Sequence, residues 1–265
     1  MTGPVNKLVE IATATEARVA LERKSIPLEA LLEQLSSSRV PHPVLPAFRQ
    51  DGMHVIAEIK RSSPSRGMIA SSVVPLDVAR AYLDAGATAI SVLTEPQYFG
   101  GDIAFLTEIR GAFPKSLLLM KDFILDEYQL VQARVCGADM VLLIVNLLGE
   151  QKLHQFYEKA SELGLTPLVE VHDEKELSIA ARIGAQFIGV NNRSLVSLEV
   201  SLDTSIRLAA SLPQNSVVVS ESGLHNGEQL KMLSRLGYRG FLVGTSLMET
   251  NSPGPALRAL LQAAS

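Results

Sequence analysis

The chain has 265 residues, 47% of them hydrophobic, and carries 24 Lys+Arg against 28 Asp+Glu for a net charge of −4, which allows a sizeable core and excludes a disordered chain. One cysteine excludes an internal disulfide framework and a multi-cysteine zinc cluster. The N-terminus lacks the apolar stretch of a signal peptide, the run from Met140 to Leu148 is interrupted by Asn146 and is too short for a bilayer, and no Lys/Arg block is present, so a cytoplasmic protein acting on a small molecule is expected, with no nucleic acid and no membrane as partner.

In chain order, helical stretches are predicted from Lys7 to Arg23 and from Pro27 to Leu35, followed by a Pro-rich connection from Pro41 to Pro46. Residues 1–50 are therefore expected to form a helical extension packed on the remainder. Eight short apolar, β-branched runs follow: Val55–Ile59, Thr88–Leu93, Leu117–Met120, Met140–Val145, Leu168–Val171, Phe187–Val190, Val217–Val219 and Phe241–Val243. They are apolar on both faces, as strands of a parallel sheet covered by helices are. Helical periodicity lies between them at 76–85, 126–135 and 174–182. Gly86, Gly137, Gly184 and Gly237 recur about 50 residues apart, each between a helical pattern and the next strand, where a C-cap needs a left-handed backbone. That interval holds two βα units, so residues 51–265 are read as one (β/α)8 TIM barrel with an N-terminal helical extension. A doubly wound sheet is the rival, but no Gly-x-Gly-x-x-Gly turn follows the first strand.

The active site of such a barrel lies at the C-terminal ends of its strands, so polar residues there are the candidates. Glu58 and Lys60 end strand 1 on one face, and a Ser, Pro and Arg-rich loop from Arg61 to Met68 has the length of a lid. Strand 3 ends at Lys121, strand 5 at Glu170, strand 6 at Asn191 with Arg193 two positions on, and strand 7 at Glu221. One such residue is ordinarily solvated; five strands ending this way point to acid–base chemistry, because lysines and carboxylates in one mouth shift each other's pKa. Ser220 to Leu224 and Val243 to Leu247 place Gly, Ser and Thr where backbone N–H groups hold a phosphate. His172 is read as structural, pointing away from Glu170, and Cys136 as a small core residue. The five histidines show no ligand spacing, so no metal is expected.

Ala57-Glu-Ile-Lys-Arg-Ser-Ser-Pro-Ser65, Lys121-Asp-Phe123, Leu168-Val-Glu-Val171, Gly189-Val-Asn-Asn-Arg193, Ser220-Glu-Ser-Gly223 and Phe241-Leu-Val-Gly-Thr-Ser-Leu-Met248 together resemble the motifs of the indole-3-glycerol-phosphate synthase family, in order and over essentially the whole chain. The resemblance implies a cofactor-free ring closure of 1-(2-carboxyphenylamino)-1-deoxyribulose 5-phosphate to indole-3-glycerol phosphate, a lyase step of tryptophan biosynthesis that releases CO2 and water. It further implies Lys121 as the general acid on the ketone, Glu170 as its carboxylate partner at the anilino nitrogen, Lys60 at the substrate carboxylate and Glu58 in support of Lys60. Asn191, Arg193, Glu221 and Ser222 would bind substrate, and Ser63, Gly223, Gly244 and Thr245 the phosphate. Thr245 stands where the family often has Ser, and Ser194 where an Asp is common, which bears on how Arg193 is held. A monomer in weak association with other tryptophan-pathway enzymes is expected.

Three other readings stay open at this point. A phosphoribosylanthranilate isomerase would share barrel and phosphate loops but wants a Cys base after strand 1, where this chain has Lys60. A Schiff-base aldolase would use Lys121 or Lys60 as an amine nucleophile. A sugar-phosphate sensor would need the phosphate loops and not the paired lysines and glutamates.

Overall fold

In a computed structural model, which describes residues 7–64, 67–69, 73–194 and 198–264, eight parallel strands close on themselves. They are β1 (His54–Ile59), β2 (Ala89–Leu93), β3 (Leu118–Lys121), β4 (Met140–Ile144), β5 (Thr166–Val171), β6 (Phe187–Asn191), β7 (Val217–Glu221) and β8 (Gly240–Val243). Each pairs with its neighbour in sequence, and β8 returns to β1 with His54 opposite Gly240. Helices connect the strands and cover the outside, which makes the fold a TIM barrel. The helix ends marked by Gly86, Gly137, Gly184 and Gly237 all turn through a left-handed backbone, with φ of 99°, 93°, 73° and 104°.

Three strands, β3, β6 and β7, run on past the apolar runs that predicted them, to Lys121, Asn191 and Glu221. Leu93 pairs with Lys121 and Asn191 with Glu221, and Glu170, within its predicted run, pairs with Ile144, so polar residues are built into the ladder itself. Backbone pairing is indifferent to side-chain polarity, and these side chains point into the barrel mouth. Val145, expected at the end of the fourth strand, instead opens the helix Val145–Glu162.

Side-chain alternation divides the core in two. Residues such as Val55, Ala57, Val141, Leu143, Ile188 and Val190 face outward beneath the helices. Ile56, Leu119, Leu142, Leu168, Phe187, Val219 and Leu242 face inward and fill the barrel. At the N-terminal end of the strands the interior is closed by Val44 and Phe48, the Phe48 ring lying 5.0 Å from that of Phe187.

The extension comprises α1 (Lys7–Ser25) and α2 (Leu28–Ser37). Val19 and Leu31 bury themselves against Tyr128 and Val131 of the helix Glu127–Val135. At the mouth end Arg18 pairs with Asp122, directly after β3, at 2.7 Å. At the opposite end Arg39 and the His42 backbone N–H reach Asp139, directly before β4, at 2.9 and 2.7 Å, and the chain then enters the base as Phe48. The extension thus runs the height of the barrel wall and supplies its floor. No described helix is long and apolar enough to cross a membrane.

Candidate active site

A cavity of about 240 Å³ opens at the C-terminal ends of the strands. Glu58, Lys60, Lys121, Glu170, Asn191 and Glu221 all reach it because each occupies an inward position at or just beyond a strand end. Arg193, Ser222, Gly223, Gly244 and Thr245 complete the polar side of its lining. Leu142, Ile144 and Leu242 floor it, and Leu93, Phe99 and Phe123 form an apolar wall, with the two phenyl rings 6.0 Å apart.

Lys121 is the centre of the charge network. Its Nζ donates to Glu221 Oε2 at 2.5 Å and lies 3.4 Å from Glu170 Oε2. Burial opposes the ammonium, but Glu221, Glu170 and Glu58 outweigh burial and push its pKa well above the ordinary lysine range. A lysine held protonated is an acid and not an amine nucleophile, which counts against the aldolase reading.

The two carboxylates beside it are driven apart. Burial pushes Glu221 up to about 7 against the pull of Lys121, with Glu170 adding to the rise. Glu170 is also penalised by burial, yet Lys121, His172 and a hydrogen bond from Asn191 hold it below the ordinary value. One carboxyl can therefore hold a proton near neutrality while its neighbour stays ionised. On the far side Lys60 Nζ donates to Glu58 Oε1 at 2.5 Å, and Lys60 and Lys121 together overcome burial to keep Glu58 ionised. Gly244 leaves room for this pair, since a Cβ there would stand 2.6 Å from Glu58 Oε1.

The loop after β7 has Ser222 and Gly223 both left-handed, with φ of 66° and 77°. For Ser222 that backbone is strained, and Asn192 holds it. The buried Asn192 amide donates to the carbonyls of Glu221 and Ser222 at 3.0 and 3.1 Å, and its Oδ1 accepts from the Ser205 backbone. Ser246 Oγ donates to the Leu224 carbonyl at 2.9 Å and so ties the loop after β8 to the loop after β7.

Ser63 is not brought to this lining. It pairs with Gly67 in a short antiparallel hairpin beyond Lys60, with a buried Oγ. Ser65 and Arg66 of the expected lid lie outside the described residues. Arg193 reaches the pocket edge, and its NH1 donates to the Leu198 carbonyl at 2.9 Å, which braces its own loop. Cys136 caps the helix Glu127–Val135, away from the cavity lining, so no thiol base is present there.

The reading of His172 is corrected. Positions two apart on a strand share a face, and His172 Nε2 stands 3.5 Å from Glu170 Oε1 instead of pointing away. Asp122, Asn192 and Ser246 were not singled out in the sequence. Asp122 accepts from Thr94, from the Phe123 backbone and from Arg18 at 2.6, 2.8 and 2.7 Å, which fixes the chain on both sides of Lys121 and Phe123. Asp122 and Asn192 directly follow the polar strand ends Lys121 and Asn191, and Asp122 and Ser246 also line the cavity, whereas Asn192 does not.

A family model described as indole-3-glycerol phosphate synthase matches residues 8–260. A Nocardioides protein named indole-3-glycerol phosphate synthase is 42% identical over 253 residues, covering 96% of this chain and 97% of that one. A protein of the same name from Bacteroides thetaiotaomicron is 41% identical over 259 residues, covering 97% and 98%. Among solved structures, 3-hexulose-6-phosphate synthase from Salmonella typhimurium superimposes with a TM-score of 0.65 over 80% of this chain and 98% of that one at 15% identity, a likeness of fold alone.

Proposed function

Since the chain belongs to the indole-3-glycerol phosphate synthase family, carboxy-lyases of tryptophan biosynthesis, we propose that its mouth closes the indole ring by lysine and glutamate acid–base catalysis. The observation that carries this is Lys121, held as an ammonium 2.5 Å from one carboxyl and 3.4 Å from another at the floor of a half-apolar, half-polar cavity.

The anilino ring of the carboxyphenylamino-deoxyribulose phosphate lies against Phe99 and Phe123 and its phosphate against Ser222, Gly223, Gly244 and Thr245. Ser63 lies outside this lining and is given no part in the step. Lys121 gives a proton to the ketone oxygen as the ring carbon bearing the carboxylate attacks the ketone carbon. The C–CO2 bond then breaks, its electron pair restores the aromatic ring, and CO2 leaves. Lys60 receives the carboxylate before that step and protonates the departing hydroxyl afterwards. A proton lost from the neighbouring carbon completes the indole double bond, with Glu170 placed at the nitrogen to relay it. Glu221, poised near neutrality, returns a proton to Lys121. From the carboxylate form, each turnover consumes one proton and yields one product, one CO2 and one water. Glu58 steadies Lys60; Asn191 and Arg193 orient the hydroxyls and the rim.

The reading includes a cytoplasmic monomer, with any association with neighbouring pathway enzymes weak. Incubation with the carboxyphenylamino-deoxyribulose phosphate tests it: indole fluorescence should rise with stoichiometric CO2 release, easily followed because the chain has no Trp. Binding without turnover would favour a sensor, and a borohydride-trapped adduct would favour the aldolase.

A further inference from the structure

Behind Glu170, on the side away from Lys121, lies a second polar chain that the reaction as written does not use. Glu170 divides its two oxygens: Oε2 faces Lys121 Nζ at 3.4 Å, and Oε1 faces His172 Nε2 at 3.5 Å. The other ring nitrogen, Nδ1, lies 3.1 Å from Glu176 Oε2, and the same oxygen accepts the His172 backbone N–H at 2.8 Å. Glu176 is itself fixed, since its backbone N–H is capped by Asp173 at the start of the helix Glu174–Arg182. Both side chains are largely buried, His172 at 13% and Glu176 at 10% exposure.

The geometry assigns the protons. Glu176 Oε2 is an acceptor, so Nδ1 carries a hydrogen. A bare Nε2 would then aim its lone pair at the Glu170 carboxylate, whereas a protonated Nε2 makes an ion pair with it. We propose that Glu176 and His172 form a buttress that holds the imidazole doubly protonated behind Glu170, making His172 a positioning residue that fixes this carboxylate and keeps it ionised beside Lys121. The charged groups facing the imidazole agree: Glu170 on β5, Glu176 on the adjoining helix and Glu221 on β7 are all acidic, and together they outweigh the burial that would otherwise discharge it. Lys121 pairs with Glu170 on its other oxygen, so among the described residues losing His172 leaves Glu170 with that one ion pair. The inference rests on the role given to Glu170 above.

The test is the pH dependence of kcat for His172→Ala, His172→Gln and Glu176→Gln, with melting curves to confirm folding. With its cation removed, the Glu170 pKa rises, and activity, lost as pH falls through that pKa, is lost at higher pH. In His172→Ala the acidic limb should move up by about one pH unit and kcat should fall about tenfold, with KM changed less than about twofold. His172→Gln, which restores a neutral donor, should recover kcat on the alkaline plateau but leave the limb displaced. Glu176→Gln should move the limb the same way by less. A limb unmoved in folded His172→Ala overturns the inference. An active Glu170→Gln variant would instead overturn the role of Glu170, so the two failures are told apart.

Discussion

Glu221 occupies space that exists because Gly189, diagonally across the β6–β7 ladder, has no side chain: a Cβ at 189 would overlap Glu221 Oε1. Glu221 in turn makes the shortest contact to Lys121, so a methyl group on a neighbouring strand is enough to misplace the proposed acid. Gly189→Ala should lower kcat about a hundredfold, since displacements near 1 Å cost that much, while KM changes little. Steady-state kinetics alongside a melting curve check this.

Lys121→Ala removes the ammonium proposed as the acid on the ketone. Turnover should fall at least about a thousandfold, while calorimetric titration still detects substrate binding through Lys60, the aromatic wall and the phosphate loops. Near-normal turnover would refute the assignment of Lys121.

Glu221 makes stability depend on pH in an unusual direction. Its folded pKa of about 7 exceeds the ordinary 4.5, so the folded protein binds the proton more tightly than the unfolded chain, and stability falls as pH rises from 4.5 to about 7. Glu221→Gln lacks this titration. Its melting temperature relative to the parent should rise across that window and stay higher above it, while its turnover is lost. Melting curves from pH 4 to 8 supply the comparison.

Arg18→Ala leaves Asp122, which is 2% exposed, without its cation. Breaking such a pair costs about 3 kcal/mol, whereas Arg18→Ala combined with Asp122→Asn should cost less than Arg18→Ala alone. Urea unfolding of the variants measures both.

Asn192→Ala releases the loop carrying Ser222. Because the strained turn borders the proposed phosphate side, KM should rise about tenfold, with kcat falling less. Inhibition by inorganic phosphate should weaken in parallel.

The barrel was legible because its evidence is periodic. Apolar runs such as Met140–Ile144 and the repeat glycines each carry local signals that the closed sheet only had to respect. The residues at the mouth were legible for the opposite reason: Lys121 and Glu170 stand where packing gives no cause for charge. Harder to read were contacts between elements distant in sequence. Nothing near Phe48 says that it floors the barrel, and nothing near Arg18 names Asp122. Gly244 was read for phosphate, but its want of a side chain also makes room for Glu58, a relation visible only when β1 meets β8. His172 was misread through the alternation rule itself, which puts it on the face of Glu170.

Phe48 and Val44 stop the rear of the barrel with hydrocarbon, and that makes the catalytic chamber a blind alley. Among the described residues the cavity opens at the C-terminal ends of the strands, so substrate and indole product pass the same end of the barrel, where Arg193, Ser222 and Thr245 line it, and exchange there sets an upper bound on turnover however fast the bonds rearrange.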